Sequence, residues 1–465
     1  MYMTPLSALR DELARMHDVT HLFDAPPPLL DPSEQAELME CAAILLDDKI
    51  RSDPLAFAQP RFHEGLYEEV ANVLMVQLEG TPLDELDLLE EEVYAAVACA
   101  AKLVFAVVAP RRSCRRTLIR KPPNVSVLRR KIELLRSIPQ EPQRTPKWHA
   151  DRWQRMTAAT MYKCFGTLGA RNQIRYDKCK PIDASKFDHV STETPMHHGT
   201  KYEPVSTMLY EREHDTIVEE FGCIPHQRYG FIGASPDGIN AKETSSRYGR
   251  MIEIKNIVNR PITGIPKFEY WVQMQIQMET CDLNECDFLE TRFLEYASYE
   301  EFREDGTFTR TGNGQQKGAI MYFVVDGRPF YAYSPLDLDQ EAFEEWECKM
   351  MEAHVAHTWV KNIYWKLDQL SCVLVLRNKL WFEAALPVIE DTWNDVLRGR
   401  KEGYEQYAPR SVKRQKQIGK GSAMDIESGA PAPAVNVVSV DTSTDAAMKD
   451  AYLQSILAEL EKHAE

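Results

Sequence analysis

Residues 227–280 read QRYGFIGASPDGINAKETSSRYGRMIEIKNIVNRPITGIPKFEYWVQMQIQMET, and this stretch decides the fold. An apolar run ends in Ser235-Pro236-Asp237-Gly238, and a polar loop then leads into Ile252-Glu253-Ile254-Lys255. The spacing predicts strands over 227–235 and 249–257, followed by an amphipathic helix over 266–280. Side chains alternate between the faces of a strand, so Glu253 and Lys255 project to the same side. If Asp237 ends the first strand of a hairpin, its carboxylate converges on theirs.

Two carboxylates and one ammonium at a sheet edge suit metal-dependent hydrolysis of a phosphodiester. Hard oxygen ligands hold Mg²⁺, for which Mn²⁺ substitutes, and the carbonyl of Ile254 offers a further oxygen. The metal activates water and neutralises charge in the transition state, while Lys255 orients that water or stabilises negative charge. By itself, P-D…E-x-K also describes a turn followed by a surface ion pair. The neighbouring segments add weight. HHGTKYEPVSTMLYE (197–211) places Glu203 on a helix as a third carboxylate. In the later helix Tyr270, Gln273 and Gln277 share a face at i, i+3 and i+7, with Gln275 off it. Glutamines repeated in an apolar helix are costly in a plain core and point to a polar site. Upstream stands QRTPKWHADRWQRMTAA (143–159).

In this order the elements resemble the lambda-exonuclease and YqaJ-like viral recombinase branch of the PD-(D/E)XK nucleases, over about residues 143–300. Large DNA viruses of eukaryotes encode similar proteins. The resemblance implies an α/β fold, a mixed central sheet flanked by helices, to which this chain adds a helical amino-terminal domain. It implies Mg²⁺-dependent digestion of duplex DNA from an end. By position, Glu203, Asp237 and Glu253 would be metal ligands, with Lys255 the catalytic lysine and Gln273 and Tyr270 supporting them. Arg152 matches the arginine that grips a terminal 5′-phosphate, and Ser235 matches a serine of the same pocket. The family reads T-A-S where this chain has Thr157-Ala158-Ala159, so Thr157 or Thr160 must supply the missing hydroxyl if 5′→3′ polarity is kept. The implied role is viral recombination, repair or genome processing. An endonuclease of flaps, branches or nicks, and a non-catalytic DNA-binding scaffold, are the rival readings. The implied partners are duplex DNA ends and a single-strand annealing or recombination protein, with a homotrimer as the family's assembly.

The 465 residues are 44% hydrophobic and 27% charged, which excludes a mostly disordered chain. Ten cysteines without a C-x-x-C pair and a start without an apolar core predict a soluble protein of a reducing compartment, and the viral resemblance implies the host nucleus or cytoplasm. No zinc is expected at His197-His198, no iron–sulfur cluster at Cys281 and Cys286, and no ATP, since a Walker motif is lacking. The apolar run over 93–109 contains Lys102 and reads as a core helix rather than a membrane span. Residues 1–100 carry 5 basic and 21 acidic side chains, whereas residues 101–180 carry 20 and 4. The basic segment, with Arg111, Arg112, Arg115 and Arg116, is expected to neutralise DNA phosphates; a solvated face and pairing with acidic residues are the alternatives. The expected organisation is a helical acidic domain over 1–110, a basic connector over 111–145 and a nuclease domain over 146–408. A disordered linker over 409–445 and a short helix over 446–465 follow.

Overall fold

The computed structural model describes residues 28–78, 86–114, 123–182, 192 and 194–409. Arg115, Arg116 and the expected carboxy-terminal linker and helix lie outside the described residues, apart from residue 409. The chain divides into two compact units, one within Met1–Asp53 and Arg61–Val108, the other within Pro54–Pro60 and Ala109–Glu465.

The first unit contains helices α1 (Pro32–Ser52), α2 (Phe62–Gln77) and α3 (Leu86–Val107). Asp31 caps α1 by accepting from the N–H groups of Ser33 and Glu34, and Glu34 reaches back to the Asp31 N–H. Leu38, Ala42, Leu46 and Ile50 recur every four residues and are buried, as are Val93, Val97 and Ala101 of α3. The apolar run of α3 therefore serves a core. Among the described residues, no helix is long and apolar enough to cross a membrane.

The second unit is built on a seven-stranded mixed sheet. Its strands are β2 (Val218–Glu219), β5 (Gly238–Asn240), β6 (Met251–Asn256), β7 (Glu285–Glu295), β8 (Lys317–Val325), β9 (Arg328–Tyr333) and β10 (Thr358–Leu376). Their order is β2-β5-β6-β7-β10-β8-β9. Among the described residues, β6 and β7 are the one parallel pair of this sheet, with Glu253 beside Phe288 and Lys255 beside Glu290. A smaller sheet runs β1 (Met156–Thr157), β4 (Ile232–Ala234) and β3 (Ile224–Pro225).

Helices α4 (Val125–Ser137), α5 (Pro146–Trp153), α6 (Leu168–Cys179), α7 (Pro195–His214), α8 (Phe268–Cys281), α9 (Gln340–Ala353) and α10 (Lys379–Glu402) belong to the same unit. Tyr202, Val205 and Leu209 of α7 pack on Phe293, Ile320, Ile363 and Trp365 of the sheet. This apolar face sets where Glu203, on the same helix, stands.

One sequence expectation about the strands needs correction. The strand before Ser235-Pro236-Asp237-Gly238 is not the hairpin partner of β6: β4 lies in the small sheet, and β5, after the turn, pairs with β6. Pro236 has no N–H for a ladder and ends the first strand. Gly238 then allows the close approach of β2, since a Cβ there would fall 2.1 Å from Val218. Helix α9 stops at Ala353, and Thr358, Trp359 and Val360 begin the 19-residue strand β10. β-branched and aromatic side chains favour that pleated surface.

Trp365 lies opposite Gly318 in the β8–β10 register, and a Cβ on Gly318 would meet its indole at 2.4 Å. Gly318→Ala should therefore overpack this core and destabilise the unit by roughly 1–3 kcal/mol. A lowered midpoint in urea unfolding checks this, and an unchanged midpoint would contradict the packing.

Candidate active site

Strand β6, helix α8 and the turn before β5 meet at Glu253. Its side chain, on an inner strand of the large sheet, has 0% exposure. An ionised carboxylate there requires partners. The ammonium of Lys255, two residues on and on the same face, donates to its Oε1. From α8, Gln277 donates through Nε2 to its Oε2 at 2.7 Å. Asp237 stands beside them, its Oδ2 accepting from the backbone N–H of Ile254 at 2.7 Å. Lys255 also lies 5.2 Å from the ring centre of Tyr270.

Glu203 arrives on α7, which Thr194 caps by accepting from the His197 N–H at 3.1 Å. The helix is pinned to the strand ends by a hydroxyl–amide cluster. Ser206 donates to Asn256 Oδ1 at 2.7 Å, Thr291 donates to the same oxygen at 2.6 Å, and Asn256 donates to the Gly199 carbonyl at 2.7 Å. Glu203 thereby lines a cavity of about 680 Å³ with Asp237, Ile254, Lys255, Asn256 and Tyr270.

Burial first, and then the crowding of acids, governs the electrostatics. Burial and then Asp237 push Glu203 up to about 7, against the opposing pull of Arg144. Burial and Asp237 likewise raise Glu253, against Lys255 and Gln277. Burial works against the charge of Lys255, yet Glu253 and Asp237 hold its ammonium above the ordinary lysine value.

The acids are not a preassembled ligand set. Among the described residues, no group of three or more His, Cys, Asp or Glu side chains stands as a metal-holding cluster. Glu203 is tied to Arg144 at 2.7 Å and Glu253 to Lys255. The donor chemistry nevertheless fits a hard cation: the carboxylates of Glu203 and Asp237 line one cavity, and burial together with crowding retains protons that a divalent ion would displace. The buried Oε1 of Gln277 also lacks a hydrogen-bond partner among the described residues.

A second cavity, of about 230 Å³, gathers Arg152, Thr157, Thr160, Lys163, Lys178 and His149 among its lining residues. The Arg152 guanidinium lies 4.3 Å from the Trp148 ring centre and reaches Ser235 Oγ at 3.4 Å, where Trp148 Nε1 also donates at 3.2 Å. Gln143 donates to the Pro236 carbonyl at 3.2 Å, tying residues 143–152 to the turn that carries Asp237. Thr157 and Thr160 share a hydroxyl contact of 3.3 Å, so both candidate replacements for the missing serine meet in this pocket. Ala159 is exposed.

Several sequence assignments change. The glutamine that reaches Glu253 is Gln277, not Gln273; among the described residues no hydrogen bond joins Gln273 to an acid of the site. Both lie on the predicted face, and the helix brings its later turn over the carboxylate. Gln275 is structural, donating to the Leu376 carbonyl and accepting from the Asn378 N–H. Arg112 does not face DNA. It is 2% exposed, donates to the Ala58 carbonyl at 3.1 Å, and burial pushes it down to about 9. Arg111 is exposed. Much of the basic segment is paired within its own unit: Arg129 with Glu243, Lys131 with Asp282 and Arg136 with Glu219. Sequence reading missed Lys178, whose only signal was its place in a basic run. Burial and then Arg152 push it down to about 7, and it donates to the Arg152 carbonyl at 2.6 Å.

Residues 147–284 match the family model of the YqaJ-like viral recombinase domain. An uncharacterized protein, R354, of Acanthamoeba polyphaga mimivirus is 29% identical over 308 residues, covering 57% of this chain and 54% of that protein. The chain thus spans about half the length of the curated relative it matches. Among solved structures, the alkaline exonuclease LHK-Exo of Laribacter hongkongensis is 19% identical, with 56% of this chain and 97% of that chain covered and a TM-score of 0.33. Its complex with dAMP is 18% identical, with the same coverage and TM-score.

Gln277→Leu strips Glu253 of a buried donor and should cost about 1–3 kcal/mol. Gln273→Leu, which removes no such bond, should cost less. Urea midpoints of the two variants check the order, and a larger loss at Gln273 would contradict it.

Proposed function

We propose that this chain, whose residues 147–284 carry the YqaJ-like domain, is a metal-dependent exonuclease that degrades linear duplex DNA from its 5′ ends during viral recombination, repair or genome processing. The observation that carries this reading is the meeting of Glu203, Asp237 and Lys255 in one cavity, in front of the buried Glu253.

Glu203, Asp237 and Glu253, with the Ile254 carbonyl, would hold Mg²⁺ or Mn²⁺, which when bound lowers the pKa of water and neutralises phosphate charge. The other roles belong to the chain. Lys255 stays charged and positions the attacking water or the phosphate oxygen it donates to. Tyr270 packs against Lys255, while Gln277 fixes Glu253. Arg152, with Ser235 nearby and Lys178 and the two threonines around it, grips the terminal phosphate. This orients the strand so that its first internal phosphodiester meets the acids. Partners in this reading are duplex ends and an annealing or recombination protein.

With Mg²⁺, linear duplex should release nucleotides while covalently closed circles stay intact. Asp237→Ala should abolish release with DNA affinity retained. Cut circles would replace the exonuclease reading with an endonuclease, and a fully active Asp237→Ala would refute the metal site. Arg152→Gln should lose the preference for 5′-phosphoryl over 5′-hydroxyl ends, read from end-labelled time courses.

The pH dependence follows from the raised carboxyls. Below about 7, Glu203 keeps its proton and cation uptake must expel it. Mn²⁺ affinity, followed by calorimetry, should therefore rise as pH increases through that value. A fall over the same range would contradict the assignment.

A further inference from the structure

Arg144 is held in an unusual place. Its φ of 68° lies in the left-handed region that favours glycine. The residue is fixed from both sides: Gln143 bonds the Phe221 and Pro236 carbonyls, and Thr145 caps α5 through the Trp148 N–H. From there the guanidinium donates through Nη2 to Glu203 Oε2 at 2.7 Å. Glu203 forms part of the wall of two cavities, the one it shares with Asp237 and Lys255 and a neighbouring one of about 620 Å³ that Arg144 lines. Arg144 is among the residues lining the second of these cavities, and Asp237 among those lining the first. Its side chain is 53% exposed, so a rotation into solvent carries little desolvation cost, and such half-exposed pairs hold weakly.

A strained backbone that delivers a displaceable cation to a metal-ligand candidate has a direct chemical consequence. A divalent ion held by Asp237 and Glu203 would compete with Arg144 for the Glu203 carboxylate, and its charge would repel the guanidinium. We propose that Arg144 is the resident counter-ion of Glu203, competing with the divalent cation for that carboxylate and so setting the cation concentration at which the site loads. The inference rests on the metal-nuclease reading of the site. It assigns Arg144 a positioning role, through Glu203, rather than contact with substrate.

Calorimetric titration of the full chain with Mn²⁺ alone, with wild type and variants compared at one pH, tests this. Arg144→Gly suits the left-handed backbone and keeps the fold. It should bind Mn²⁺ several-fold more tightly than wild type, with Arg144→Lys in between and Asp237→Asn weakened. If wild type takes up no Mn²⁺, the metal reading fails and this inference with it. If wild type binds and Arg144→Gly binds equally or more weakly, the inference alone is overturned.

Discussion

The architecture depends on a carboxylate that has no access to water. Glu253 sits at 0% exposure on an inner strand, and an unpaired charge in such a place costs several kcal/mol. Lys255 from its own strand and Gln277 from α8 answer it. Each answer constrains the fold. Lys255 has to share the strand face, which fixes the pleat of β6, and Gln277 requires the later turn of α8 to cross that face. Asp237 joins the cluster through the Ile254 N–H, so the turn between the two sheets is tied to the strand that carries Glu253.

The remaining acid reaches the cavity by a different route. Glu203 is placed by the apolar packing of α7 on Phe293, Ile363 and Trp365, and by the Ser206–Asn256–Thr291 cluster at the strand ends. Apolar burial sets the helix on the sheet, and the directional hydrogen bonds fix its register. The cavity's chemistry follows from this convergence. Burial and, after it, the neighbouring Asp237 raise Glu203 and Glu253, and the basic side chains beside them, Lys255 and Arg144, are held by the same two acids.

Much of this was legible before any coordinates. The alternation in IEIK placed Glu253 and Lys255 together because a strand has a period of two. The i, i+3, i+7 face of α8 named Gln277 among its members, but choosing between Gln273 and Gln277 required knowing how far along the sheet the helix lies. The hairpin expectation failed because Pro236 ends one strand while the next is only three residues long, too short to show periodicity. Charge counts identified a basic segment and not its use. Arg129, Lys131 and Arg136 meet acids 83 to 151 residues away in sequence, and such long-range pairing leaves no local signal. Arg112 was misread for the same reason: a guanidinium spent on the Ala58 carbonyl looks, in sequence, like one facing solvent.

Anomalous diffraction from crystals soaked in Mn²⁺ addresses the central claim, that acids from α7, the turn before β5 and strand β6 make one cation site beside Lys255. The account predicts a peak within ligand distance of Asp237 and of Glu203 or Glu253, with the Arg144–Glu203 pair opened. A peak only elsewhere on the chain, or none while both Glu203–Arg144 and Glu253–Lys255 pairs stay closed, would contradict it.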